Sequence, residues 1–255
     1  NVTLLPTSSS STSVSQCAPP YVWNGNTYTS TGTYTYTTTG SNGCDSVATL
    51  NLVISPCNTN LNLTAFIQAY WDGTSAMNPT LYNQGQANPI TDCDSITVEL
   101  HEAAVPTNVA YSISAVLHTD GTATCVFPAV SNGYYYIVLK HRNTIETWSG
   151  DSVAFTGGNV TYNFSTAASQ AYGSNQIELT TANLPNGIFA IYSGDIVKDF
   201  GEATDLLDLN QLEGEINNFS FGYYAEDLNG DGNVDILDSP ALEGNISGFI
   251  YSIHP

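Results

Sequence analysis

The feature that most constrains the fold of this chain is a twelve-residue stretch, 227–238, in which side chains that carry oxygen recur at fixed intervals. Counted from residue 227, they occupy positions 1, 3, 5, 9 and 12, and Gly232 stands at position 6. Calcium requires hard oxygen ligands around one centre and a sharp turn within the loop, which glycine makes most easily. The spacing therefore predicts a calcium site. Its ligands would be Asp227, Asn229, Asp231, the backbone carbonyl of Asn233, Asp235 through a water molecule, and Asp238.

The stretch has an earlier counterpart, so this end of the chain is a duplication. The pattern Asp-x3-Leu-Glu-Gly-x-Ile-x2-Phe begins at Asp208 and again at Asp238. The first loop, 195–208, is two residues longer than the second, contains Lys198 and has Val197 at position 3. Its candidate ligands are Asp195, Asp199, Asp205 and Asp208, with Glu202 in reserve. Two alternatives stay open for this loop: calcium bound in an altered geometry, or a structural copy without metal.

After each loop, apolar residues recur with the spacing of an amphipathic helix. They are Leu206, Leu207, Leu209, Leu212 and Ile216 after the first loop, and Ile236, Leu237, Leu242 and Ile246 after the second. Pro240 fits the first turn of the second helix, where proline is tolerated.

Paired loop–helix units of this kind resemble the dockerin family, and the resemblance implies calcium binding. Dockerins anchor enzymes to cohesin partners through polar residues just before the final ligand of each loop. This chain departs from that pattern, since the positions hold Leu206, Leu207, Ile236 and Leu237. We therefore expect these four side chains to pack into the protein's own core, and calcium to act as a staple that rigidifies this end of the chain.

The rest of the chain is rich in Thr, Ser, Asn, Tyr and Val, a composition typical of β-structure with polar turns. Within residues 17–56, the runs Tyr21-Val22-Trp23-Asn24-Gly25 and Gly43-Cys44-Asp45-Ser46 resemble the short repeats of Bacteroidota surface adhesins. Within residues 57–190, Thr119-Asp120-Gly121 followed by Gly133-Tyr134-Tyr135-Tyr136 resembles a transthyretin-like sandwich, which implies a structural role. We expect a mainly β fold: a small β repeat unit, an Ig/transthyretin-like β-sandwich, and a dockerin-like module over 191–255.

The N-terminal segment, 1–16, combines an apolar stretch with a polar one. Residues 2–5 predict a short strand, whereas residues 8–13 are all Ser or Thr and have no apolar surface to bury. We expect a strand followed by a linker, with the strand added to an open sheet edge of another copy. The prediction is a homo-oligomer, such as a fibre, a pilus-like assembly or an adhesin array, formed by exchange of N-terminal strands.

Charge and cysteine usage indicate the class of partner and the compartment. Three Lys and Arg residues oppose 23 carboxylates, and the formal charge of −20 excludes nucleic acid as a partner. No apolar run approaches the roughly 18 residues that span a bilayer. The five cysteines form no Cys-x-x-Cys pair, which argues against zinc and favours disulfides in an oxidising compartment. The expected pairs are Cys17–Cys44 and Cys57–Cys93, although sequence alone leaves the connectivity open.

No nucleophile-elbow, zinc-protease or phosphate-binding motif occurs, so we expect no enzymatic activity. Ser46, Ser95 and Ser152 each lie between an Asp and an aliphatic residue, a tripeptide that resembles the O-glycosylation motif of Bacteroidota and implies glycans. The expected function is that of a secreted, calcium-stabilised structural protein of a bacterial surface. The alternative is a C-terminal anchoring or carbohydrate-binding module of a larger secreted enzyme, attached in the dockerin–cohesin manner.

Overall fold

The structure is a computed structural model that describes residues 8–40, 43–85, 89–156, 158–181, 184–199 and 201–255. The chain forms two compact units, Asn1–Asn58 and Thr59–Pro255. The predicted sandwich, 57–190, and the predicted C-terminal module, 191–255, both fall almost wholly within the second unit. As predicted, the fold is mainly β.

The first unit is a small β structure built on one three-stranded sheet. Its strands are β1 Ser8–Cys17, β2 Tyr21–Trp23, β3 Asn26–Tyr28, β4 Gly32–Thr39 and β5 Asp45–Ser55. The sheet order is β1-β5-β4, with β1 parallel and β4 antiparallel to β5, while β2 and β3 form a hairpin. Leu50 and Leu52 on the central strand β5 are its fully buried apolar residues among those described.

Strand β1 corrects the prediction of a polar linker over residues 8–13. Those residues are exposed and belong to a strand that pairs with β5 of the same chain over ten residue pairs. A strand at a sheet edge is held by backbone hydrogen bonds, which need no apolar side chain, and Thr favours extended backbone. Low hydrophobicity was therefore a poor guide to order here. The predicted strand over residues 2–5 lies outside the described residues.

The second unit contains a β-sandwich followed by two loop–helix repeats. Its strands are β6 Thr59–Thr64, β7 Asp92–Glu102, β8 Val109–His118, β9 Thr122–Phe127, β10 Gly133–Lys140, β11 Thr147–Trp148, β12 Val153–Phe155, β13 Asn159–Asn163, β14 Ile177–Thr181 and β15 Leu184–Ala190. Its α-helices are α1 Thr80–Asn83, α2 Leu206–Asn217 and α3 Ser239–Ser247. Short 3₁₀ turns occur at Gln68–Tyr70, Phe164–Thr166, Ala168–Gln170, Tyr172–Ser174 and Ile236–Asp238.

Two sheets enclose the sandwich core. One has the order β11-β10-β7-β8, with β12 also paired to β10, and the other has the order β13-β6-β9. Alternate residues of β6, β7, β9 and β10 point between the sheets, as the two-residue period of a strand requires. The buried residues they supply include Leu61, Leu63, Val98, Leu100, Phe127, Ile137 and Leu139.

The two loop–helix repeats share a smaller core of their own. It consists of Ile196, Leu212, Leu228, Val234 and Leu242, with Leu209, Ile216 and Ile246 packed against it. Backbone bonds join the repeats reciprocally, since Val234 N–H donates to the carbonyl of Ser220 and Thr204 N–H donates to that of Ile250. Pro240 lies in the first turn of α3, as predicted.

The inward packing predicted for the residues before each final ligand is wrong. Leu206 and Leu207 are 65% and 52% exposed, and Ile236 and Leu237 are 69% and 63% exposed. Their helical spacing matched that of the buried residues, but Asp205 and Asp235 are helix N-caps. The two apolar residues after each cap lie in the first turn, on the outer side of the helix, and the buried stripe begins beyond them.

Candidate calcium loops and their support

The second loop, 227–238, is folded around the carboxylate of Asp227, which is fully buried. Its Oδ1 accepts from the N–H groups of Gly230 and Asp231 at 2.9 and 3.2 Å, and its Oδ2 accepts from that of Gly232 at 3.1 Å. Gly230 and Gly232 have φ angles of 75° and 97°, a region that favours glycine. The sharp turn that the spacing predicted is therefore present in this loop.

The far end of the second loop is closed by Asp238, which is also buried. Its Oδ1 accepts from the N–H of Asn229 at 2.9 Å, and its Oδ2 accepts from the N–H of Asp235 at 2.9 Å. The carboxylate of Asp235 in turn accepts from the N–H of Leu237 and caps the following helical turn. Residues at loop positions 3, 9 and 12 are thus joined by hydrogen bonds from backbone N–H groups to the Asp238 carboxylate.

Two carboxylates of the second loop are costly to keep charged in the absence of a cation. Burial raises the pKa of Asp227 to about 6, against the lowering effect of Arg142 and the backbone N–H donors. Burial likewise raises the pKa of Asp238 to about 7, and the charge of Asp227 adds to the increase. A bound cation would favour the ionised form of both groups.

The donor chemistry of the second loop fits calcium, because every predicted ligand is an oxygen. Two of these side chains accept from the backbone N–H two residues further on: Asn229 Oδ1 accepts from Asp231, and Asp231 Oδ1 accepts from Asn233. Among the described residues, no three His, Cys, Asp or Glu side chains are gathered closely enough to form a metal-ligand cluster. The calcium ligand set, which also includes the side-chain amide of Asn229 and the backbone carbonyl of Asn233, therefore stays a prediction.

The first loop, 195–208, repeats the closing end of the second. Asp208 Oδ1 accepts from the N–H groups of Ile196 and Val197 at 2.7 and 2.8 Å, and its Oδ2 accepts from that of Asp205 at 2.8 Å. Asp205 caps helix α2 as Asp235 caps the later turn. Burial raises the pKa of Asp208.

The opening end of the first loop differs from that of the second. The buried Asp195 carboxylate contacts the ammonium of Lys198, with Nζ 3.0 Å from Oδ2. Asp199 is exposed and accepts from the N–H of Gly201, while Glu202 has a left-handed backbone with a φ of 42°. Burial raises the pKa of Asp195 to about 6 in spite of the lowering effect of Lys198.

Amide side chains of the sandwich hold the second loop from outside. Asn78 and Asn83 each donate from Nδ2 to a loop carbonyl, those of Asn229 and Gly230 respectively, at 2.8 Å. Gln84 donates to Asp227 Oδ2, and Asn143 donates to the carbonyl of Asp227 at 3.3 Å. A Cβ on Gly230 would lie 2.2 Å from Thr80 Oγ1, so only glycine allows this approach.

The same support continues into a buried polar cluster around Asp94, which sequence reasoning missed. The Oδ2 of this fully buried carboxylate accepts from Tyr70 Oη, His141 Nε2 and Arg142 Nε at 2.8–3.0 Å, and its Oδ1 accepts from Tyr223 Oη at 2.6 Å. The guanidinium of Arg142 lies 4.4 Å from the ring centre of Tyr223. Since Tyr223 belongs to the segment that leads into the second loop, the cluster ties that loop to the sandwich.

Burial opposes the charge of Asp94, but its partners outweigh that effect. The hydrogen bond from His141, the charges of His141 and Arg142 and the hydrogen bond from Tyr223 together hold the pKa of Asp94 well below its usual range. The only sequence signal at this position was the Asp94-Ser95-Ile96 tripeptide, which we interpreted as a glycosylation motif.

The other predicted modification sites are at the surface or partly covered. Ser95 is exposed, while Ser46 and Ser152 are half-buried, and Ser46 Oγ lies 2.6 Å from Ser8 Oγ. Glycosylation of the three serines stays a prediction.

The cysteines lie in two kinds of surroundings. The thiol of Cys57 is hydrogen-bonded to that of Cys17, which raises the pKa of Cys57. Cys93 is buried in the sandwich core, with its Sγ 4.0 Å from Met77 Sδ. Cys125 is buried in the same core, and burial raises its pKa to about 12. The pairs Cys17–Cys44 and Cys57–Cys93 stay predictions.

Comparison with known proteins gives only distant structural likenesses. No protein-family model matches the chain, and no curated protein matches it. Two matching structures are interface mutants of the type II cohesin–X-dockerin complex of Acetivibrio cellulolyticus, at 14% and 13% identity and TM-scores of 0.41 and 0.39, covering 77% of this chain and 97% of theirs. The major pilin subunit of Bacillus cereus matches at 12% identity and a TM-score of 0.23, over 54% of this chain and 41% of its own. These likenesses are too weak to carry an argument about function.

In the part of the chain that the structure describes, no helix combines the length and apolar character needed to cross a membrane.

Proposed function

We propose that this chain is an extracellular structural protein whose C-terminal end is stapled by calcium bound in the second loop. The observation that carries the proposal is the folded form of that loop. Buried Asp227 and Asp238 stand at its two ends, and glycines with positive φ make its turn. The ligands would be the six residues predicted from the spacing, with Asp235 acting through water.

Calcium in this position would stabilise more than the loop itself. The loop is hydrogen-bonded to the sandwich through Asn78, Asn83 and Asn143, and the segment before it reaches Asp94 through Tyr223. A ligand that binds only the folded state stabilises that state by RT ln(1 + [L]/Kd), about 2.7 kcal/mol at a hundredfold excess over Kd. Calcium bound here would therefore raise the stability of the sandwich and the repeats together.

The proposal assigns the protein no reaction. Two buried ionisable groups of the sandwich, Asp94 and His141, are engaged with each other, and Asp94 also accepts from Arg142. Such a network orients secondary-structure elements and occupies both groups.

Calcium titration of metal-stripped protein tests the staple. We expect calorimetric binding and a rise in melting temperature with calcium that a chelator reverses. Asp227→Asn should abolish both effects, whereas Asp151→Asn, at an exposed carboxylate of the sandwich, should leave both unchanged. A melting temperature that responds to neither calcium nor chelator would contradict the proposal.

The assembly part of the proposal is a fibre or adhesin array of identical subunits. It is supported by β1, a long edge strand whose outer side has no neighbour among the described strands of its sheet. Such an edge can accept a strand from another copy. Electron microscopy should reveal filaments, and deletion of residues 1–7 should remove them if those residues supply the added strand. Dispersed single particles at high concentration with calcium would count against assembly.

A second candidate function, anchoring to a protein partner, is favoured by the exposed apolar residues of the repeats. One set comprises Phe219, Phe221, Ile236 and Leu237, and its counterpart in the duplication comprises Phe249, Tyr251, Leu206 and Leu207. Phe219 and Phe249 are 86% and 83% exposed, more than most aromatic residues in a soluble domain. Apolar residues displayed twice at equivalent positions fit a protein-binding surface.

Surface plasmon resonance against a panel of cohesins tests this second candidate. Phe219→Ser combined with Phe249→Ser should abolish any binding without lowering the melting temperature. Val116→Ser, at an exposed position of β8, is the matched control and should bind as the original chain does. Absence of binding to every cohesin, with a folded protein, would leave the structural proposal as the better one.

A further inference from the structure

Lys198 occupies an unusual position for a cationic residue in this chain. It is one of three Lys and Arg residues set against 23 carboxylates. Its ammonium lies within the first loop, where Nζ is 3.0 Å from Asp195 Oδ2 and also donates to the carbonyl of Thr144 on the sandwich side. A positive charge thus lies against the carboxylate that opens the loop, the place where a metal ion would be bound.

The opening carboxylates of the two loops are compensated in different ways. In the second loop, Asp227 accepts three backbone N–H groups and the amide of Gln84. In the first loop, no described backbone N–H donates to Asp195, and its Oδ1 has no hydrogen-bond partner among the described residues. Because Asp195 is fully buried, the ammonium of Lys198 is the main group that offsets its charge.

The remaining positions of the first loop do not complete a calcium ligand set. Position 3 is Val197, whose side chain has no oxygen and whose N–H is taken by Asp208. Asp199 is exposed and turned to the N–H of Gly201. Calcium usually takes six to eight oxygen ligands, and this arrangement offers too few of them around Asp195.

We propose that the Lys198 ammonium serves as the permanent cation of the first loop, so that the chain holds a single calcium ion, in the second loop. The inference rests on the proposed calcium site of the second loop. The duplication would then have kept one metal site and converted the other into an ion pair that needs no metal.

Calorimetry counts the sites. We expect one calcium per chain for the original protein, one for Asp195→Asn and none for Asp227→Asn. Two ions per chain, or loss of the only site in Asp195→Asn, would overturn the assignment of Lys198. No binding to any of these proteins would overturn the proposed function, and the measurement below would still decide the role of Lys198.

A double-mutant cycle on Asp195 and Lys198 tests the ion pair without relying on the second loop. Lys198→Gln should lower the melting temperature by about 2–4 °C, the shift expected for a loss on the order of 1 kcal/mol in a domain of this size. Asp195→Asn combined with Lys198→Gln should recover part of the loss. The coupling should be the same with calcium and with chelator.

The calcium dependence of that coupling is decisive. If calcium enters the first loop, it must displace the ammonium, and the coupling between the two residues would disappear when calcium is added. Lys198→Arg keeps the charge and should retain most of the stability, which guards against a general effect of changing the side chain. Coupling that vanishes with calcium, or is absent in both conditions, refutes the proposal.

Discussion

The two loops of the C-terminal duplication close in the same way and open differently. Asp208 and Asp238 accept equivalent backbone N–H groups, and Asp205 and Asp235 cap the helical turns that follow, with φ of −143° and −144°. The opening carboxylate is enclosed by backbone N–H groups in the second loop and faces a lysine in the first. A duplication can thus keep its backbone frame while the chemistry at the centre of each copy diverges.

The loops also differ in what supports them. Three asparagine amides and one glutamine of the sandwich reach the second loop, and the Asp94 cluster lies beneath the segment that leads into it. The first loop contacts the sandwich through Lys198 and the carbonyl of Thr144. The loop with more hydrogen bonds to the sandwich is also the loop whose predicted calcium ligands are complete. This indicates that the sandwich and that loop act as one structural unit.

The largest expected effect comes from removing the support that only the second loop has. Asp94→Ala should lower the free energy of unfolding by about 3–5 kcal/mol, because it leaves the largely buried Arg142 without its counter-charge and the buried His141 without its acceptor. Asp92→Ala is the control, since Asp92 pairs with the half-exposed His118 and should cost less than about 1 kcal/mol. Urea denaturation measures both. Equal losses for the two variants would contradict the role given to Asp94.

A smaller effect is expected from the amide that touches the opening carboxylate. Gln84→Ala removes a hydrogen bond to Asp227, and hydrogen bonds to charged groups contribute about 1.5–3 kcal/mol. We expect calcium affinity to fall roughly tenfold, the equivalent of 1.4 kcal/mol. Gln68→Ala is a matched control, because Gln68 joins Ser193 and Asn245 to the sandwich and touches neither loop carboxylate. It should lower stability but leave calcium affinity unchanged.

The pH dependence of the calcium-free protein tests the two buried carboxylates at the ends of the second loop. Because burial raises the folded-state pKa of Asp227 to about 6 and of Asp238 to about 7, their contribution to stability is complete below about pH 4 and is lost as the pH rises towards 7. We expect the unfolding free energy measured in chelator to fall by a few kcal/mol over this range, at about 1.4 kcal/mol for each unit by which a folded-state pKa exceeds its unfolded value. Asp238→Asn should flatten the profile, and a profile that the substitution leaves unaltered would contradict this assignment.

The smallest effect on stability should come from substituting exposed apolar residues, which occur at equivalent positions in the two repeats. Leu206→Ser and Leu237→Ser should each change the unfolding free energy by no more than about 0.5 kcal/mol, since both side chains are largely exposed. Leu212→Ser, at a fully buried position of helix α2, should instead cost several kcal/mol. Thermal melts of the three variants separate the outer face of the repeat from its core.

Sequence was most informative where a chemical requirement recurs at a fixed spacing. The turn at Gly232 followed from the ligand spacing, and the helix after Asp205 followed from apolar residues that recur with helical spacing. In the sandwich, β9, Thr122–Phe127, has the alternation of exposed and buried residues that a half-buried strand requires. The calcium ligands themselves stay a prediction.

Sequence was least informative where the deciding partner is distant along the chain. No sequence pattern near Asp94 predicts its hydrogen bond with Tyr223, which is 129 residues away. Helical periodicity also predicted that both Leu206 and Leu212 would be buried, although only Leu212 faces the core. In the first unit, Ser8–Cys17 forms a strand because its backbone pairs with that of β5. The hydrophobicity of its side chains does not predict this pairing.

The parallel pairing of β1 with β5 has a mechanical consequence. The ladder runs from Ser8 opposite Ser46 to Cys17 opposite Ser55, so the chain enters β1 at one end of the pairing and leaves β5 at the other. Tension carried along the chain would pull the two strands past each other and load the backbone hydrogen bonds together, whereas a terminal antiparallel hairpin would open one bond after another. A serine-rich strand whose side chains are mostly exposed would thus set the force at which this unit unfolds.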